Sequence, residues 1–336
     1  MVQTLHLTPN YDAKLTCEEG MIASVCSWLQ VDYQMLFIDS WGFHFNAPTG
    51  PEKIKLGDRI SHSTLGDEKY IQCVDYMKIH HGLQIDYEIF LTMEQMLTSV
   101  RQELDSSKPL AVLTDSYWCP WIPSFQKQHD DHFLIIVGVD EADGHFLCMD
   151  PMFSKEVEKL SYDFMMKGIH GYLIFTVQTG IKPAWHKDWV RNISNSLLIL
   201  NNPAENIDVF RAMKRLSEDI LDKFDYELER GNDGLVPLIV RRFSEISKGR
   251  YKYSELVALL ADLYNNDQLL YFSNGVREAG YRWGVIQQLL TKFMFTGRSS
   301  ALIRISEKIA EAAEFEKQLV EEFQQYISSI DTVTNG

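Results

Sequence analysis

Polar and apolar residues alternate without order through MVQTLHLTPNYDAKL, and a regular pattern begins only at TCEEGMIASVCSWLQ, where apolar residues recur at helical spacing to about Gln30. Thr16 stands where an N-cap belongs and Glu19 follows three residues later, the signature of a capping box, so a helix is predicted with Cys17 on its first turn. MLFIDSWGFHFNAPTG reads as a strand or extended entry into a Gly/Pro-rich loop, and TMEQMLTSVRQELDS as an amphipathic helix. KPLAVLTDSYW contains a β-rich apolar run. HFLIIVGVD is nearly continuous, the pattern of a strand buried on both faces, and GHFLCMDP returns after a hairpin turn marked by Asp143-Gly144. GYLIFTVQTG predicts a further strand before Pro183 and the linker-like KPAWHKDWVRN.

Beyond Asn201 the period becomes helical. Phe210, Met213, Ile220, Phe224 and Leu228 place a long helix over NIDVFRAMKRLSEDILDKFDYELERG, with Gly231 ending it. Similar stripes cover 236–248, 252–265, 268–296 and 299–330, with Gly249 and Gly297 as stops, and no fixed-period repeat suggests a solenoid. The pattern predicts an α+β chain, with a mixed domain over 1–185 and a mainly helical domain over 190–336.

Composition narrows the class. The 336 residues are 45% hydrophobic and 24% charged, as in ordinary globular proteins, and the net charge of −15 argues against a nucleic-acid surface. The start has no basic segment followed by an apolar run, and no stretch reaches the roughly 18 to 20 apolar residues of a membrane span, so a cytoplasmic protein without membrane contact is expected. The apolar stripes of the helical half could hold a homodimer, although the same stripes are needed for its own core.

Five cysteines, an odd number at irregular spacings with no CxxC pair, imply neither disulfides nor structural zinc, and the default for each is a small buried apolar side chain. Cys17 differs by position. At a helix start it faces unbonded N–H groups and the positive end of the helix dipole, which favour a thiolate. Glu18 and Glu19 oppose this unless they turn away, and a capping box would direct Glu19 to the Thr16 backbone. A thiol nucleophile needs a base, and His132 opens the HFLIIVGVD strand. The turn at 141–144 returns the chain to the same end at Asp150-Pro151, so Asp150 can orient the imidazole; its other reading is a turn-forming Asp before proline. A metal reading of His129, Asp130, Asp131 and His132 lacks further ligands at a recognisable spacing, with His80 and His81 read as loop residues before Gly82. Tyr117, Trp118 and Trp121 form an aromatic cluster that packs a loop or lines a substrate pocket.

The cysteine-headed helix, LTDSYWCPW, QHDDHFLIIVGVD and the closing MDP resemble the N-terminal domain of the butirosin biosynthesis protein H family, acyltransferases related in fold to papain-like and C39-type cysteine peptidases. The resemblance covers roughly residues 10–180 and is densest from Val112 to Pro151. It implies a papain-like N-terminal domain and a thiol enzyme of natural-product biosynthesis. Such an enzyme takes an acyl or aminoacyl group from the phosphopantetheine thioester of an acyl or peptidyl carrier protein and passes it to an amine or hydroxyl of a small-molecule acceptor. Cys17 would be the nucleophile, His132 the base and Asp150 the orienting residue, with no bound cofactor or metal. Papain-like peptidases carry a Gln a few residues before the cysteine; Tyr11 and Asp12 stand there instead, which leaves the Cys17 N–H as the oxyanion donor and Tyr11 beside Tyr117, Trp118 and Trp121 as candidate substrate contacts. Carrier proteins are acidic, so docking on this chain requires a local basic patch, for which Arg211, Lys214 and Arg215, or Arg241 and Arg242, are the candidates. A thioesterase or cyclase, a cysteine peptidase or amidase, and a non-catalytic binding module remain open alternatives.

Overall fold

The computed structural model describes residues 3–50, 52–62, 69–89, 92–178, 185–230, 236–297 and 300–334. The chain divides into two compact units, Met1–Leu36 with Ile71–Ala184, and Phe37–Tyr70 with Trp185–Gly336. In chain order the elements are β1 (Gln3–Thr4), α1 (Cys17–Leu29), β2 (His44–Phe45), β3 (Ile60–Ser61), α2 (Lys69–His81), β4 (Leu83–Glu88), α3 (Met93–Asp105) and β5 (Leu110–Asp115). They continue with β6 (Asp131–Asp140), β7 (His145–Met149), β8 (Val157–Ser161), α4 (Tyr162–Gly168) and β9 (Ile169–Val177). Then come α5 (Trp189–Leu200), β10 (Asn201–Asn202), β11 (Ile207–Asp208), α6 (Val209–Asp222), α7 (Tyr226–Arg230), α8 (Leu238–Tyr264), α9 (Asp267–Thr296) and α10 (Ser300–Thr334). The result is α+β: a mixed first unit around one antiparallel sheet, and a mainly helical second unit.

The sheet order is β4-β9-β5-β6-β7-β8, with β1 added against β6. Strand β6 pairs with β5 over Asp131–Ile136 and with β7 from Ile135 to Asp140, while β1 takes over beside Gly138 and Val139 where β5 ends. Both its hydrogen-bonding edges are therefore occupied, and every residue from His132 to Val139 is buried, which accounts for the unalternating apolar run. The β6–β7 hairpin turns at Gly144, whose φ of +67° is the left-handed geometry a glycine adopts without strain. Helix α3 is capped by Thr92 and buries Met96, Val100 and Leu104, the amphipathic face its sequence predicts.

Several elements depart from the pattern. His80 and His81 are not loop residues: they lie in the last turn of α2, closed by Gly82 at φ +63°. His81 is buried and its Nε2 accepts the Met35 N–H at 3.1 Å; burial and the neighbouring His80 lower its pKa to about 3, so it serves as a neutral acceptor. The segment read as extended from Met35 is a 3₁₀ turn at Gln34–Phe37, and only His44–Phe45 is strand, paired with Ile60–Ser61. The last four residues of the segment read as linker, Trp189 to Asn192, instead open α5, which buries Trp189, Ile193, Leu197 and Leu200 along one stripe. The long helix predicted to run to Gly231 stops at Asp222. Asp225 Oδ1 then caps a fresh turn by accepting the Glu227 and Leu228 N–H groups at 3.0 Å each, which leaves Leu228 half exposed. Gly231 and Pro183 lie outside the described residues.

In the second unit, Phe37–Tyr70 is held to the helices by a buried polar cluster. Glu316 accepts from Trp41 Nε1 and Trp283 Nε1, both at 2.6 Å, and pairs with Arg250 at 3.0 Å, while Arg250 also donates to Gly42 O at 2.8 Å. All four side chains are buried, and each charge is offset by a partner of fixed geometry. Gly297 ends α9 at φ +63° as predicted, but Gly249 is no stop: α8 runs through it. A Cβ at Gly249 would stand 2.2 Å from Ser40 O, so the glycine is there for backbone approach. Gly249→Ala is therefore expected to destabilise the protein by about 1–3 kcal/mol despite the better helix propensity of alanine, measurable by urea unfolding. An unchanged or raised midpoint would show that the contact relaxes freely. Among the described residues, no helix is long and apolar enough to cross a membrane.

Candidate functional site

The cysteine-bearing helix begins as predicted. Thr16 Oγ1 accepts the Glu19 N–H at 3.2 Å and the Glu19 carboxylate accepts the Thr16 N–H at 2.9 Å. The capping box commits one of the two acidic neighbours of Cys17 to the helix start, where it is almost wholly buried. As the first helical residue, Cys17 carries one of the N–H groups for which a helix has no acceptor of its own. Gly20, one turn on, lies where a Cβ would meet the Pro151 Cβ at 3.2 Å, so α1 rests directly against the turn that follows Asp150. Of the five cysteines, only Cys17 is not buried. Burial pushes the Cys26 and Cys148 thiols up and the Cys119 thiol to about 12, which keeps these sulfurs protonated and inert.

His132 lies between Cys17 and Asp150. Its Nε2 is 2.9 Å from Asp150 Oδ2, and the Cys17 thiol lies close enough for a polar interaction with its side chain. Burial alone would lower the imidazole pKa, but the bonds to Asp150 and Cys17 and their charges outweigh it and raise the value to about 9. Asp150 is completely buried, which works against its charge. His132, Trp121 Nε1 at 2.8 Å on the same oxygen, and the Met152 and Phe153 N–H groups at 3.0 and 3.1 Å on the other keep it below the ordinary carboxylate range. The Phe153 ring lies 5.4 Å from the His132 ring, tilted at 53°. The three residues come together because β6 and β7 carry His132 and Asp150 to one end of the hairpin, and α1 delivers Cys17 there.

The aromatic candidates separate. Trp121 is a donor to Asp150, a positioning contact that the pattern could have signalled, since a buried indole N–H needs an acceptor. Tyr117 stacks on His129, with centroids 4.2 Å apart and planes at 6°, while Trp118 packs on Phe164 beneath Lys167. Tyr11 is exposed, with Lys155 Nζ 4.9 Å from its ring centroid. No sequence signal marks the pairing of His129 with Asp115 at 2.5 Å or the Phe153 ring beside His132. His129 and His132 turn to different carboxylates, and among the described residues no group of three or more His, Cys, Asp or Glu is placed to hold a metal. Of the basic side chains considered for docking, Lys214 pairs with Glu314, Arg215 with Asp219 and Glu218, and Arg242 with Glu245, so much of that charge is neutralised internally.

A half-buried thiol at a helix start, an imidazole held cationic and a buried carboxylate behind it have the chemical make-up of a thiol-nucleophile site. Residues 16–151 match the family described as Butirosin biosynthesis protein H, N-terminal. The matched span opens on Thr16, the cap of the Cys17 helix, and closes on Pro151, directly after Asp150. No curated protein matches the chain.

Proposed function

We propose that this protein is a cysteine-dependent acyltransferase of biosynthetic metabolism that forms an acyl-enzyme on Cys17. The observation that carries the reading is the buried His132, bonded to Asp150 and beside Cys17, within the span that resembles butirosin biosynthesis protein H. In the first half-reaction the Cys17 sulfur attacks the carbonyl of a thioester donor, such as the phosphopantetheine thioester of a carrier protein. The C–S bond to the donor breaks and its thiolate leaves. His132 stays protonated beside the sulfur at neutral pH and supplies the counter-charge, while Asp150 holds the ring with Nε2 toward itself and the other nitrogen free for the sulfur. The Cys17 N–H faces the developing oxyanion. An amine or hydroxyl of a small acceptor then takes the acyl group and releases Cys17.

Incubation with short acyl thioesters of N-acetylcysteamine, followed by intact mass measurement, tests this. The wild type is expected to gain one acyl mass that Cys17→Ala loses. Equal labelling of both proteins, or none of either, would remove the covalent reading.

A further inference from the structure

Asp150 divides its two oxygens between two tasks. Oδ2 takes His132 Nε2 and Trp121 Nε1, while Oδ1 takes the Met152 and Phe153 N–H groups at 3.0 and 3.1 Å. The Ser154 N–H donates to the Asp150 carbonyl at 3.1 Å, and the Ser154 hydroxyl donates to Glu158 Oε1 at 2.6 Å. The turn from Pro151 to Ser154 is thus fixed by the same residue that orients the imidazole. Two contacts set it against the nucleophile. A Cβ at Gly20, on the first turn of α1, would meet Pro151 Cβ at 3.2 Å, and the Phe153 ring lies 5.4 Å from the ring of His132, which itself interacts with the Cys17 thiol. On this fixed backbone Met152 and Phe153 remain 42% and 39% exposed. Scattered exposed apolar side chains need no explanation, but two on a pinned turn beside a reacting imidazole present apolar surface where a ligand arrives. The N–H groups of Met152, Phe153 and Ser154 are all bonded, so the turn has no free donor there for an amide or carboxylate, and its exposed side chains offer hydrocarbon and a thioether. The next charged residue, Lys155, stands over the Tyr11 ring, 4.9 Å from its centroid.

We propose that Phe153, with Met152 next to it in the turn, is the specificity-determining contact for the acyl group that Cys17 carries, and that the acyl groups it selects are apolar near the carbonyl. This rests on the acyltransferase reading. The acyl group is on Cys17 at the end of the first half-reaction and at the start of the second, next to the His132 imidazole. Its first carbons therefore lie within reach of a ring that touches the same imidazole. The leaving pantetheine arm is a chain of amides, which calls for hydrogen-bond donors that this turn does not have free. Apolar contact with the acyl chain persists into the transition state, so it raises the rate constant for acylation at low donor concentration.

The test measures second-order rates of Cys17 acylation by intact mass on the full chain, with the acetyl, butyryl and hexanoyl thioesters of N-acetylcysteamine. Each rate is divided by that of the same thioester with mercaptoethanol in solution, which removes intrinsic reactivity. Wild type is expected to prefer hexanoyl over acetyl by about tenfold, at roughly twofold per methylene for a half-covered chain. Phe153→Ala is expected to bring that ratio down to about twofold, while Phe153→Leu, which keeps a large apolar side chain, retains most of it. Val177→Ala, as exposed as Phe153 but at the opposite end of β9 from the His132 register, is expected to keep the wild-type ratio. Hexanoyl-pantetheine is expected to respond to Phe153→Ala as hexanoyl N-acetylcysteamine does. No chain-length preference in wild type, equal slowing of acetyl and hexanoyl by Phe153→Ala, or a loss confined to the pantetheine donor would overturn the role of Phe153 while leaving the acyl-enzyme intact. Absence of any Cys17 adduct with all three thioesters would overturn the acyltransferase reading and this inference with it.

Discussion

Asp150→Ala is expected to lower the rate of Cys17 acylation by about 10³- to 10⁴-fold and the stability by about 3–5 kcal/mol. The carboxylate is completely buried and takes four donors, His132 Nε2, Trp121 Nε1 and the Met152 and Phe153 N–H groups. Its removal strands all four, and each buried orphan donor is costly. The imidazole also loses its stronger partner, so burial becomes the dominant influence and His132 turns neutral at pH 7. Asp150→Asn separates the two effects, because it keeps the shape and accepts some of the donors: stability should recover in large part while acylation stays slow. Urea unfolding and stopped acylation assays measure these, and histidine NMR reports the ring charge. An Asp150→Asn protein that acylates at the wild-type rate would show that the carboxylate is only a turn anchor.

The second large effect is a pH dependence. His132 has its pKa raised from the ordinary 6.5 to about 9. A group with a raised folded value stabilises the fold fully below its unfolded value and loses that contribution as pH rises through the folded one. The stability difference between wild type and His132→Gln should therefore be largest below pH 6.5 and shrink toward pH 9 and above, by about 3 kcal/mol from a shift of this size. Because the Cys17 bond and charge also raise the value, Cys17→Ala should move the upper end of the window down. Unfolding free energies across pH 6 to 10 for the three proteins measure it. A difference that stays flat would mean that the imidazole is not held cationic in the folded state.

Local signals made much of the first unit legible. Thr16 and Glu19 announced the helix start and hence the position of Cys17, and Asp143-Gly144 fixed the hairpin that sets His132 against Asp150. What escaped was tertiary. The apolar residues of KYIQCVDYMKIHH do not fall into a clear stripe, so α2 and the strand after it left no strong mark. Gly249 has the same one-letter appearance whether it ends a helix or admits the Ser40 carbonyl, and only the packed structure separates the two. Composition groups Trp121 with its aromatic neighbours, whereas its indole N–H gives it a different task from Tyr117 and Trp118. The acidic residues next to His129 in sequence suggest a metal ligand, yet its partner is Asp115, across the loop.

The polar cluster around Glu316 bears on the order in which the protein can be completed. Trp41 and the carboxylate it binds are 275 positions apart. During synthesis Trp41 and Phe43 leave the ribosome well before the side chains they pack against in their unit, Glu316 and Trp283, emerge. The strands that bring His132 to Asp150 are finished well before that. A nascent chain thus passes through a stage in which the sheet is complete while Phe37–Tyr70 still presents unburied aromatic surface, the kind of surface on which chaperones act and aggregation starts.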